Sequence, residues 1–90
     1  MISNKEYSNR IWAAYPINDL KLNALGLCGE AGEFANKIKK REYKNVTDID
    51  LIEELSDVLW HLDQCARLLN TDIDALKLIS VEKTEKRNNK

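Results

Sequence analysis

Hydrophobic residues recur along the chain with the period of an α-helix. Between positions 20 and 38, Leu20, Ala24, Leu27, Cys28, Ala31, Phe34, Ala35 and Ile38 return at i, i+4, i+7, i+8 and i+11, one face of a helix. Ile52, Leu55, Leu59, Leu62, Ala66 and Leu69 repeat that face further on, and Ile73, Leu76, Ile79 and Val81 supply a shorter one. Pro16, Ile17 and Asn18 interrupt the pattern first, then the polar connection Lys44, Asn45 and Val46, then Asn70. Start signals precede each segment: Ser3 with Glu6 as a capping box, Asn18, Thr47, and Thr71 with Asp74. Thr-Asp-Ile-Asp stands at both 47 and 71, which reads as two similar caps rather than a repeat, because nothing around them matches. The pattern predicts helices over about 3–15, 19–43, 48–69 and 72–86 in one domain, 1–90.

Short connections between long helices imply antiparallel neighbours. The expected fold is all-α, a small antiparallel four-helix bundle whose second and third helices supply most of the core through their apolar faces. Composition agrees, since 3 Gly and 1 Pro leave little material for the turns of an all-β fold. A chain of 90 residues has a thin core, so self-association helps it. Lys+Arg 14 against Asp+Glu 15 excludes a strongly basic nucleic-acid binder. No apolar run reaches the roughly 18–20 residues of a membrane span, and Met1 to Arg10 lacks the apolar stretch of a signal peptide, so the expected location is cytoplasmic. Cys28 and Cys65 sit within apolar helical patterns and are expected as small buried hydrophobes, not a disulfide. Together with the lone His61 they are too few soft ligands for zinc.

The acidic residues change the picture. Glu30 and Glu33 stand three apart in Gly-Glu-Ala-Gly-Glu, and Glu54 and Asp57 have the same spacing in Glu-Glu-Leu-Ser-Asp. Each pair lies off the centre of its helix's apolar stripe, and antiparallel helices with level middles bring the pairs together across a groove. Carboxylates at close range repel unless a cation sits among them, and all-oxygen ligation suits Mg²⁺, with Mn²⁺ as a substitute. Mg²⁺ favours bridging to phosphates, which points to a nucleotide or another polyphosphate. A di-iron centre is excluded because it needs Glu-x-x-His, whereas Asn36 follows Glu33 at that spacing and residue 57 is Asp. Glycines at 26, 29 and 32 within one helix fit close approach by a neighbour or a ligand, or plain helix packing.

Basic residues complete a candidate phosphate site. Lys83 and Arg87, four apart, suit phosphates beyond the metal, or complement the helix dipole. Lys37, one turn beyond Glu33, is a further candidate, whereas Lys39, Lys40 and Arg41 read as a solvated helix end. His61, four after Asp57, either touches a ligand or stands there without a role, and Trp60 lies on neither the apolar nor the acidic face, where it suits a subunit contact.

Gly-Leu-Cys-Gly-Glu-Ala-Gly-Glu-Phe at 26–34 and Glu-Glu-Leu-Ser-Asp-Val-Leu-Trp at 53–60 resemble the MazG-like nucleotide pyrophosphohydrolases of the all-α NTP pyrophosphatase superfamily. The shared signature is Glu-x-x-Glu, a spacer of 20 residues here, then Glu-x-x-Asp, and the likeness runs over about residues 20–87. It implies Glu30, Glu33, Glu54 and Asp57 as Mg²⁺ ligands, with Lys83 and Arg87 as the Lys-x-x-x-Arg that contacts the triphosphate. Two departures concern nucleotide contact: the Asn common just before that Lys is absent, with Ser80 or Val81 in its place, and Asp50 stands where some members carry Lys. The implied reaction hydrolyses a nucleoside triphosphate to the monophosphate and pyrophosphate. One carboxylate acts as general base, for which Glu33 is the choice, and base selection falls to groove side chains such as His61 and Trp12. Family members are dimers or tetramers, which implies a homo-oligomer. The alternative is a non-catalytic helical oligomer that binds nucleotides or a protein partner, and a third reading is an acidic bundle without metal.

Overall fold

Helices form where side-chain oxygens satisfy the free amides of a first turn. The computed structural model describes residues 1–88 and contains α1 (Asn4–Ala14), α2 (Leu20–Lys40), α3 (Asp48–Leu68) and α4 (Ile73–Asn88), with no strand among those residues. Ser3 accepts from the Glu6 amide, and Thr47 and Asp50 form a reciprocal capping box on α3. Two caps differ from expectation by one residue. Asp19 rather than Asn18 caps α2, accepting from the Leu22 amide at 3.1 Å, and Asp72 rather than Thr71 caps α4, accepting from Ala75 at 2.8 Å. In both cases the carboxylate stands immediately before the first helical residue, where its oxygen reaches the third amide. α2 stops at Lys40 instead of 43 because its last turn tightens, with the Tyr43 amide bonded to the Lys40 carbonyl at 3.0 Å. Asn70, at φ 59°, ends the α3 segment in the left-handed region that Asn tolerates.

α2 and α3 pair as a hairpin of two 21-residue helices, α1 lies against α3, and α4 leaves from the far end. The all-α class holds, but the packing within one chain is more open than a closed bundle. Its radius of gyration is 15.3 Å, against about 12 Å for a compact chain of this length. Only the start of α4 is tied down, through Asn4 Nδ2 donating to Asp74 Oδ1 at 2.8 Å, and every described residue beyond Leu76 is exposed. Ile79 and Val81, expected to point inward, are therefore at the surface, while Ile73 is buried and Leu76 half-buried.

The expectation that the apolar faces of α2 and α3 make the core holds only in part: Leu27, Phe34 and Leu62 are half-buried and Ala66 is buried, but most of each face is not. Leu20, Ala24, Cys28, Ala31, Ala35 and Ile38 are exposed, as are Ile52, Leu55, Leu59 and Leu69. A neighbouring mixed stripe, spaced by alternating threes and fours, is buried or half-buried throughout: Asn23, Leu27, Glu30, Phe34 and Lys37 on α2, and Leu51, Glu54, Val58, His61 and Cys65 on α3. Both helices are thus rotated so that much of their most hydrophobic face looks outward. Among the described residues Ala66 and Ile73 are the buried hydrophobics, whereas Asn23, Glu54, Asp63 and Gln64 are buried polar groups. Polar side chains in such positions need partners, and Asn23, Gln64 and one Glu54 oxygen have them. Cys28, expected inside, lies on the outer face and Cys65 is half-buried, both free.

Three polar side chains place α1 and the α1–α2 loop. Gln64 accepts from the Ile17 amide at 3.0 Å and donates to the Tyr15 carbonyl at 3.2 Å. Asn23 donates to the carbonyls of Ile17 at 2.8 Å and Asp19 at 3.2 Å. Arg67 donates to Ser8 and Asn9, and its guanidinium lies 5.0 Å over the Trp12 ring.

Candidate functional site

The acidic half of the α2–α3 seam is a cluster. Glu30, Glu54 and Asp57 each offer a carboxylate oxygen, and these oxygens lie within 4.8 Å of one another. That reach is comparable with the roughly 4–5 Å between oxygens on opposite sides of a bound divalent cation. Glu30 and Glu54 meet because their helices run antiparallel with level middles, and Asp57 follows Glu54 by less than one turn.

Charge in the cluster is unbalanced, and the side chains show it. Lys37 reaches across to Glu54, Nζ to Oε1 at 2.8 Å, and this contact holds the Glu54 carboxyl below its usual range. Lys37 is in turn pushed up, first by that bond. Glu30 has no such cation. Loss of solvent, then the side-chain approach of Glu54, then the charges of Asp57, Glu54 and Glu33 push its carboxyl up. The second Glu54 oxygen, Oε2, is buried without a hydrogen-bond partner. A buried carboxylate oxygen with no donor is costly, and an all-oxygen set around it fits a hard divalent cation. The residues present therefore fit the metal expected of them.

The other candidates are distributed unequally. Glu33 is exposed and outside the three-residue cluster, though its charge still acts on Glu30. His61 is half-buried in the seam, its Nδ1 3.2 Å from Asn23 Oδ1. Lys83 and Arg87 are exposed on α4, beyond the part of that helix held to the rest of the protomer. Trp12 is engaged by Arg67 in the α1–α3 contact. Trp60 has partners within the chain, with Tyr15 at 6.3 Å between ring centroids and His61 edge-on at 4.9 Å. Asp50, where some family members carry Lys, accepts from Thr47, and that bonding lowers its carboxyl below the usual range.

The three glycines separate into two kinds. A Cβ at Gly26 would lie 2.3 Å from His61 Cε1, so this glycine exists for close approach by a neighbour. Around Gly29 and Gly32 nothing lies within 4 Å.

Sequence reasoning missed Asn23, Gln64 and Asp63. Asn23 carried a faint signal, an amide in register with Leu27 and Glu30 on a helix otherwise rich in apolar residues. Gln64 had none, because its partners are loop backbone groups 49 and 47 positions away. Asp63 is 2% exposed, with Oδ2 lacking a partner. Burial raises its carboxyl, and a Ser8 hydrogen bond and the Arg67 charge work against that rise.

Comparison with known proteins places the chain in a family. The MazG nucleotide pyrophosphohydrolase domain matches residues 19–90, and the chain belongs to that family. The Gene 37 protein of Mycobacterium phage L5 is 36% identical over 77 residues, covering 79% of this chain and 68% of the phage protein. No solved structure matches significantly. The family match includes both halves of the signature and α4, while α1 precedes it.

Proposed function

We propose that the chain is a Mg²⁺-dependent pyrophosphohydrolase that converts a (d)NTP to the (d)NMP and pyrophosphate, acting on the cytoplasmic nucleotide pool. The observation that carries this reading is the convergence of Glu30, Glu54 and Asp57 within 4.8 Å, drawn from both halves of the family signature. The buried, unpartnered Glu54 Oε2 supports a cation at this point. When bound, Mg²⁺ or Mn²⁺ neutralises phosphate oxygens and favours ionisation of water. Glu30, Glu54 and Asp57 hold the metal, and Lys37 positions Glu54 while offering its ammonium to the phosphates. Glu33, one turn from Glu30 and uncommitted to the three-carboxylate cluster, acts as general base beside the metal.

Lys83 and Arg87 bind the triphosphate beyond the metal, from a helix that its own protomer leaves exposed. A second copy of this chain covers the outer stripes, where Ile52 is 61% exposed and Leu55 49%. An exposed row of large apolar residues of this kind marks an interaction surface. Dimers or tetramers bring a basic α4 near a carboxylate groove and bury the apolar faces that one protomer cannot.

Incubating the protein with each dNTP and Mg²⁺ and assaying pyrophosphate tests the reaction. Release with at least one nucleotide is expected, and none with any of them returns the chain to a non-catalytic nucleotide-binding oligomer. Mg²⁺ should also raise the melting temperature of the protein, because a ligand that binds only the native state stabilises it. Glu54→Gln should abolish that gain and lower kcat/KM about 100-fold or more. An unchanged gain removes Glu54 from the metal site.

A further inference from the structure

His61 is held far more closely than a packed ring needs. Asn23 is fully buried, and its Nδ2 donates to the carbonyls of both Ile17 and Asp19. That leaves Oδ1 facing His61 Nδ1 at 3.2 Å. An amide oxygen only accepts, so Nδ1 carries the proton and Nε2 of the neutral ring is a lone-pair acceptor. The ring occupies the slot left by Gly26, where a Cβ would stand 2.6 Å from Nε2, and Trp60 meets it at 84°. Plane and tautomer are both set. Among the described residues, Nε2 has no hydrogen-bond partner.

The order of groups along the groove gives that acceptor a use. His61 stands four residues after Asp57, roughly 6 Å along α3 from the carboxylate cluster. Lys37 stands at the other side, bonded to Glu54 and feeling the charge of Asp50, a turn before it. A nucleotide whose phosphates sit at the cluster extends its nucleoside one way and its outer phosphates the other. A lone pair repels phosphate oxygens and an ammonium attracts them, so only one direction suits both groups.

We propose that His61 Nε2 accepts a hydrogen bond from the nucleoside half of the substrate, from a sugar hydroxyl or a base N–H, and so sets the nucleotide's direction in the groove. The assignment rests on the nucleotide reading of the carboxylate site. Asn23 is the positioning residue that fixes the tautomer.

The chain has a single histidine, so its nitrogen resonances are unambiguous. Nitrogen-15 NMR should show a protonated Nδ1 and an unprotonated Nε2 whose resonance moves when Mg²⁺ and an α,β-methylene deoxynucleotide are added. The best substrate of the four dNTPs is then compared with its 3′-deoxy analogue and with its base N-methylated analogue, in the native protein and in His61→Phe. One of the two donor deletions should lower kcat/KM about tenfold or more in the native protein, a difference of about 1.4 kcal/mol, and less than about twofold in His61→Phe. Which analogue shows the loss distinguishes sugar from base. Equal losses in the two proteins for both analogues, or a proton on Nε2, would overturn the proposal. If His61→Phe does not fold, the Nε2 resonance decides: it must respond to the intact methylene analogue and not to one of the donor-deleted ones. Should no nucleotide release pyrophosphate, the hydrolase reading falls while the methylene titration still tests His61.

Discussion

The inner and outer faces of the α2–α3 hairpin reverse the usual arrangement of a helical protein. The inner seam holds Asn23, Glu30, Lys37, Glu54 and His61 among a few apolar side chains, and the outer faces show Ile38, Ile52, Leu55 and Leu59 to solvent. The seam is specified by pairing, with Lys37 on Glu54 and Asn23 on His61. The outer faces contain most of the hydrophobic free energy these helices can offer and spend little of it within one protomer. The lesson is that the strongest apolar stripe marks a surface that must be covered, not which chain covers it.

Substitutions at the seam and on the outer face sharpen this contrast. Gly26→Val should have the largest effect on the protomer, because a side chain there collides with the fixed His61 ring. A loss of about 1–3 kcal/mol in urea unfolding is expected, and an unchanged midpoint would show that the ring is free to leave its slot. Asp63→Asn tests the second polar contact, between α3 and α1. Burial raises the Asp63 carboxyl in the folded protein, so its charged form opposes folding. Stability from this group is present below its unfolded value, near 3.8, and is lost as pH rises through the higher folded value. Asp63→Asn should therefore stabilise the protein at pH 7 and flatten the pH dependence of its thermal unfolding above the unfolded carboxyl value. A destabilised variant with the same pH slope would contradict the sign.

Gly29→Ala should gain roughly 0.5–1 kcal/mol, since nothing stands within 4 Å and the helix favours Ala over Gly. A gain in melting temperature with a loss of activity would place a ligand or a second chain against Gly29. Leu55→Lys should have the smallest effect on the protomer, within about 0.5 kcal/mol once it is monomeric. Its helical circular dichroism should persist while sedimentation shows a smaller particle. An unchanged mass would move the subunit contact off this stripe.

Local signals were legible. Ser3, Thr47 and Asn70 do what their residue types suggest, because a cap or a left-handed stop involves only neighbours in sequence. Where two adjacent residues both qualify, as with Asn18 and Asp19 or Thr71 and Asp72, geometry chooses between them. The nearness of Glu54 and Asp57 was legible too, since three-residue spacing places them on one surface whatever the rest of the fold does, whereas Glu33, expected beside them, stands outside the cluster. The rotation of α2 and α3 was not. Hydrophobic periodicity locates the most apolar side of a helix, and the mixed stripe beside it scores lower although it forms the seam.

By itself, the sequence determined four helices, their approximate ends, and the family signature that brings Glu30, Glu54 and Asp57 within reach, because these depend on spacing along one or two helices. Tertiary structure alone decided which stripe turns inward, that Gly26 receives His61 while Gly29 and Gly32 stay open, and that Asn23 Oδ1 stands against His61 Nδ1. Those outcomes turn on contacts between side chains and loop carbonyls distant in sequence. Burial makes such contacts obligatory, since a polar group removed from water must find its partner in the protein.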